Sequence, residues 1–258
     1  MIKLLFMSEP YVTSETKNQV ATITFFHPAH NSLPGNLLAK LAHEIQKAGE
    51  NQEIKVIILK SGGNRTFCAG ASFKELIHIE NKTEGERFFS GFANVINAMR
   101  KCPKFIIGRV QGKTVGGGVG LASAADYCLA TKYAAIKLSE LNLGIGPFVV
   151  GPAVQRKIGV SGMSQIAINA SEFYSAEWAK QKGLFADVFE TTEDLDQAVV
   201  ELIDKLCTYN PEAVKHMKQM FWRGTEDWDD LLQQRAKISG ELVLSKFTKE
   251  KLDRFKDK

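Results

Sequence analysis

Nine of the 21 glycines in this 258-residue chain fall between Gly108 and Gly151. Glycine takes left-handed backbone readily, and with no Cβ it lets a second chain or a ligand come up against the peptide itself. A stretch this rich in glycine is poor material for long regular elements. It suits sharp junctions between short ones, and a wall that something approaches closely.

Around and through this stretch, strand-like runs alternate with helical stripes. Residues 20–26 (VATITFF) are β-branched and aromatic and read as a strand. Residues 31–34 read as a helix start with Ser32 as N-cap, continued by Leu37, Leu41, Ile45 and Ala48 at helical spacing. Residues 54–59, 104–110, 126–130 and 135–138 read as further strands, and 84–99 as a helix with Phe88, Phe92, Ile96 and Met99 on one face. Such alternation predicts an α/β fold. From about residue 193 only helices are expected. Leu195, Val199, Leu202 and Leu206 form one stripe, Asn210-Pro211 starts a second helix, and Gly224 ends it. Thr225 is the expected cap of the next. The expected organisation is an α/β core over 1–192 and a helical C-terminal extension over 193–258.

Composition excludes several classes. The chain is 44% hydrophobic and 24% charged, which argues against extensive disorder. A net charge of +4 is too small to argue for nucleic acid, and no apolar run approaches the ~20 residues of a membrane span. The opening MIKLLFM is too short for a secretory signal. Cys68, Cys102, Cys128 and Cys207 lie far apart without metal-ligand or disulfide spacing, so reduced thiols and a cytoplasmic location are expected.

The common short motifs fail. Gly112-Lys113-Thr114 looks like the end of a phosphate loop, but the required earlier glycine falls on Ile107. Gly116-Gly117-Gly118 is not a dinucleotide fingerprint, because the third glycine falls on Leu121. There is no Gly-x-Ser-x-Gly elbow, and the five histidines lack zincin spacing. No metal site is expected.

Two segments remain when read together, 66–75 (TFCAGASFKE) and 110–121 (VQGKTVGGGVGL). Each places small residues where a strand gives way to a helix. The first turn of a helix carries unpaired N–H groups at the positive end of its dipole. Two such turns facing each other could aim two donors at one oxygen, which is an oxyanion hole.

Five stretches occur together and in order: Ala29-His30-Asn31-Ser32-Leu33, Phe67-Cys68-Ala69-Gly70-Ala71, Gln111 to Gly118, Asp126 before a strand, and Leu138-Ser139-Glu140-Leu141-Asn142-Leu143-Gly144. In this the chain resembles the crotonase superfamily, the enoyl-CoA hydratase/isomerase group, from about Val20 to the C-terminal helices. The resemblance implies a spiral of repeated ββα units with an all-helical C-terminal extension, assembled as a homotrimer or a dimer of trimers. It implies an acyl-CoA substrate, with coenzyme A as part of that substrate and no separate cofactor. The thioester carbonyl would accept from the backbone N–H groups of Ala71 and Gly117. Coenzyme A would lie along Ala29, His30, Ala71, Ser72 and Phe73, with Phe255 of the tail a further contact. The family usually has Asp at Ser72, and serine still serves as a helix cap.

The resemblance also marks a departure. Hydratases of this group generally carry two carboxylates; here one of the positions is Gly120 and the other Glu140. Hydration usually divides its proton transfers between two groups. Moving a double bond from 3-enoyl to 2-enoyl needs one base that takes a proton and returns it, and Glu140 alone suffices. Isomerisation is therefore the leading expectation. A hydratase remains open, including one for a branched dicarboxylic thioester such as methylglutaconyl-CoA that Arg109 or Lys113 would recognise. So do a decarboxylase or thioesterase, and an inactive binding or RNA-binding scaffold. The last fourteen residues carry a net +3, which locates most of the chain's positive charge in the tail.

Overall fold

The structure is a computed structural model and describes residues 9–254. The opening MIKLLFM and Phe255 lie outside the described residues. β1 (Tyr11–Lys17) and β2 (Val20–Phe26) form an antiparallel hairpin. Its two-residue turn holds Asn18 and Gln19 at positive φ, as the twist of paired strands demands. β1 was not legible beforehand because only Val12 of its seven residues is buried.

After α1 (Gly35–Glu50) the chain repeats one theme: a long strand, a short strand, then helix. The first turn is β3 (Val56–Ser61), β4 (Thr66–Cys68), α2 (Phe73–Leu76) and α3 (Lys82–Lys101). The second is β5 (Phe105–Val110), β6 (Lys113–Val115) and α4 (Gly117–Ala124). The third is β7 (Tyr127–Thr131), β8 (Ile136–Lys137), a 3-10 turn over Glu140–Leu143, α5 (Gly151–Ile168) and α6 (Ala176–Gln181), before β9 (Asp187–Phe189). Long strands make one sheet in the order β1-β2-β3-β5-β7-β9, and short strands make a second in the order β4-β6-β8. Beyond the first hairpin every pairing is parallel. The strands of the large sheet are buried on both faces, which is why they read as continuous apolar runs.

The rest is helical: α7 (Thr192–Cys207), α8 (Pro211–Phe221), α9 (Trp228–Leu242) and α10 (Lys246–Asp253). Leu195, Val199 and Ile203 of α7 pack on Val56, Ile107 and Leu129 of the large sheet. α9 runs along α3 with a glycine of each at the crossing: a Cβ at Gly85 would lie 2.7 Å from the Gly240 backbone. No helix among the described residues is long and apolar enough to cross a membrane.

Two expected caps are corrected. α1 starts at Gly35 after Pro34, without a side-chain cap, and Glu75 Oε2 accepts from the Gly35 N–H instead. Ser32 donates to the Ala71 carbonyl at 2.8 Å, so its hydroxyl ties two loops together. Thr225 does not cap α9, which starts after Asp227; its hydroxyl donates back to Trp222 O at 2.6 Å. In both cases a tertiary or backward partner competes successfully with the local cap.

Candidate active site

The junctions of all three spiral turns open on one cavity of about 820 Å³. At the first junction β4 ends at Cys68, and Gly70 turns the chain at φ 90°. Ala71 then bridges to Leu33 through bonds made by Gly70 O and the Ser72 N–H, at 2.8 and 3.0 Å. That pairing leaves the Ala71 N–H out of the ladder. Ser72 caps α2 by accepting from the Glu75 N–H, as expected.

At the second junction β6 gives way to α4 across Gly116, whose φ of 53° and ψ of −117° no ordinary residue adopts without strain. Gly117 opens α4, so its N–H has no partner within the helix. Among the described residues neither the Ala71 nor the Gly117 N–H donates a hydrogen bond. The two junctions touch: a Cβ on Gly70 would stand 3.5 Å from Gly117 N. Gly117 rests on the Phe92 ring, which a Cβ there would meet at 2.3 Å, and Gly118 on Cys68. The glycine cluster is thus used for close approach.

The third junction supplies Glu140, first residue of the 3-10 turn. A Cβ on Gly116 would lie 3.1 Å from Glu140 Oε1, which sets the carboxyl beside the second junction. The residue is half-buried, but its Oε2 is buried with no hydrogen-bond partner among the described residues. Burial pushes its pKa up to about 7, against a smaller opposing effect of the Glu140 and Ser139 backbone N–H groups. A carboxyl poised near neutral pH can both take and return a proton.

Gly120 lies one turn into α4. A Cβ there would meet Val150 Cγ1 at 2.5 Å and Cβ at 2.8 Å. Valine fills the space that a second acidic side chain on this helix would need.

Ala29, His30, Ser72 and Phe73 all line the same cavity. Asn31 holds the 29–31 loop by donating to Gly62 O and Thr66 O at 2.9 and 2.8 Å. The two candidate recognisers of a distal carboxylate fall elsewhere. Arg109 is buried and pairs with Asp196 on α7 at 2.7 and 3.1 Å. Lys113 lies 5.1 Å from the Phe173 ring, and neither lines the cavity. A β5 side chain faces either the sheet's outer helix or its core, and Arg109 has the helix side. Sequence reasoning missed Phe148, Val149 and Val150 as wall residues, and read Phe88 and Phe92 as ordinary core. Only the unusual bulk of the 148–150 triplet in a glycine-rich region hinted at the first three. Among the described residues no group of three or more His, Cys, Asp or Glu is arranged to hold a metal ion.

Comparison with known proteins agrees with this geometry. Residues 15–258 match the family model described as enoyl-CoA hydratase/isomerase. The chain is 28% identical to the short-chain-enoyl-CoA hydratase of Clostridium acetobutylicum, over 96% of this chain and 95% of that one. It is 26% identical to the peroxisomal Delta(3,5)-Delta(2,4)-dienoyl-CoA isomerase of Arabidopsis thaliana, over 84% of each. The crystal structure of enoyl-CoA hydratase from Bacillus halodurans superposes with a TM-score of 0.87 at 20% identity, over 95% of this chain and 99% of that one.

Proposed function

The chain belongs to the enoyl-CoA hydratase/isomerase family, and from that premise we propose that it moves the double bond of a 3-enoyl-CoA to the 2-position, with Glu140 as its single acid/base. The thioester carbonyl accepts from the Ala71 and Gly117 N–H groups. Glu140 takes a proton from C2 and the electron pair passes to the carbonyl oxygen as a dienolate. Glu140 then returns the proton at C4 as the enolate collapses, leaving the double bond between C2 and C3. No water is consumed and no other acid is needed. The two donors stabilise charge only as it develops on oxygen, which is where fixed dipoles act best.

The observation that carries this reading is Val150 over Gly120. It leaves Glu140 as the only carboxylate beside the two donors among the described residues, and it lines the acyl side with hydrocarbon where a hydratase would hold water. Coenzyme A lies along Ala29, His30, Ser72 and Phe73 in this proposal, with Phe255 of the tail beyond the described residues. We assign residues 193–258 as an extension that covers the pocket and supports a homotrimer or dimer of trimers. Ser239 of α9 reaches the cavity, and Phe247 and Thr248 of α10 pack on Gly144 beside the 3-10 turn. Hydration is the second reading, favoured by the hydratase names among the relatives.

An assay with a 3-enoyl-CoA and a 2-enoyl-CoA side by side tests the choice. Isomerisation of the first, absent hydration of the second, and loss of the first in Glu140→Gln are expected. Hydration of the 2-enoyl thioester at a comparable rate would overturn the reading.

A further inference from the structure

Beyond one wall of the cavity lies a second hollow of about 720 Å³. Val160, Met163, Ala167, Trp228 and Leu231 make its sides largely apolar, with Arg156 and Arg235 also lining it. The two hollows share Gly146, Pro147 and Phe148, so the partition between them is a single stretch of chain. Its one large side chain is Phe148. The Phe148 N–H donates to Gly146 O at 2.8 Å, a tight turn that folds the ring back on its own neighbour. A Cβ at Gly146 would lie 2.4 Å from the ring tip Cζ, so only glycine lets the ring sit there. Val149 and Val150 behind it are buried, and they anchor the partition in the core.

The near side of this wall is hydrocarbon: Phe88, Phe89, Phe92, Leu143 and Ile145. The far side is hydrocarbon as well. An acyl chain that outgrew the first cavity would therefore meet the same chemistry beyond the ring. We infer that Phe148 sets the acyl-chain length this protein accepts, by closing off a second apolar hollow that fits the distal methylenes of a long-chain acyl thioester. The inference rests on the acyl-thioester reading of the first cavity. With the ring in place short chains are favoured. With the ring removed the hollows merge, and each added methylene that becomes buried favours the long chain by about fourfold.

The test is the ratio of long-chain to short-chain preference in wild-type protein, Phe148→Ala and Phe148→Leu. Turnover is read with hexenoyl and hexadecenoyl 3-enoyl-CoA. Binding is read by calorimetry with hexanoyl-CoA and hexadecanoyl-CoA, which have no double bond to move. The long-to-short ratio should rise at least about tenfold in Phe148→Ala and by less in Phe148→Leu. The leucine variant keeps most of the apolar volume and serves if the alanine variant does not fold. An unchanged ratio in the folded variants overturns the inference. So does wild-type protein that takes both chain lengths equally, or loss of both ligands in every variant. A shifted binding ratio with no turnover by any form would instead sink the proposed reaction and leave the partition standing.

Discussion

Glu140 bears two opposing demands. As the proposed base it must be ionised, and its burial resists ionisation, holding its pKa at about 7. The rate should rise about tenfold per pH unit below 7 and level off above it, and Glu140→Gln should lower kcat at least about 100-fold across the range. The same burial has a stability signature. The folded carboxyl titrates above its ordinary value of 4.5, so ionisation opposes folding fully above pH 7 and not at all below about 4.5. Glu140→Gln should therefore stabilise the protein at pH 8 by on the order of 2 kcal/mol, and the gain should vanish at pH 4.5. Urea unfolding at the two pH values checks this, and a destabilised variant at pH 8 would refute it. At Gly120 the expectation is overpacking. Gly120→Glu should cost about 1–3 kcal/mol by pressing on Val150, without creating a hydratase. Adding Val150→Gly should recover part of that loss, as a thermal melt would show.

At the scale of elements, α3 and α9 approach so closely that Gly85 and Gly240 must both lack side chains. Alanine at either position would stand within 2.7 Å of the other helix's backbone. Gly85→Ala should destabilise by about 2 kcal/mol, a fall of roughly 4–8 °C in Tm at the ~2–4 °C per kcal/mol of a domain this large. Because Ser239 of α9 lines the cavity, the same change should also raise KM. An unaltered Tm would mean that the two helices slide apart at no cost. The helical stripes that make this contact were legible in part. Phe92, Ile96 and Met99 share a face by simple 3.6-residue spacing. The glycine-to-glycine crossing was not legible, because nothing within α3 tells which of its glycines faces another backbone.

On the scale of the whole molecule, one buried polar knot joins the C-terminal helices to the spiral. Lys218 of α8 and Asp126 pair at 2.8 Å with side chains 2% and 5% exposed. Trp222 Nε1 and the Ile106 N–H donate to the same carboxylate, and Lys218 donates to Lys104 O. Removing one member strands a buried charge, so Lys218→Met should cost about 3–5 kcal/mol by chemical denaturation. A loss under about 1 kcal/mol would show that the knot relaxes to water. The sequence by itself determined the α/β class, the shift to helices near residue 193, and most residues of the site. Strand and helix periodicity are local, and glycine is tolerated in few other roles at such density. Only the tertiary structure decided what stands opposite what. It placed Arg109 against Asp196, gave Ser32 a partner on another loop, and put Val150 over Gly120 and Phe148 between two hollows. Those facts depend on distances between segments far apart in the chain, which periodicity and spacing do not encode.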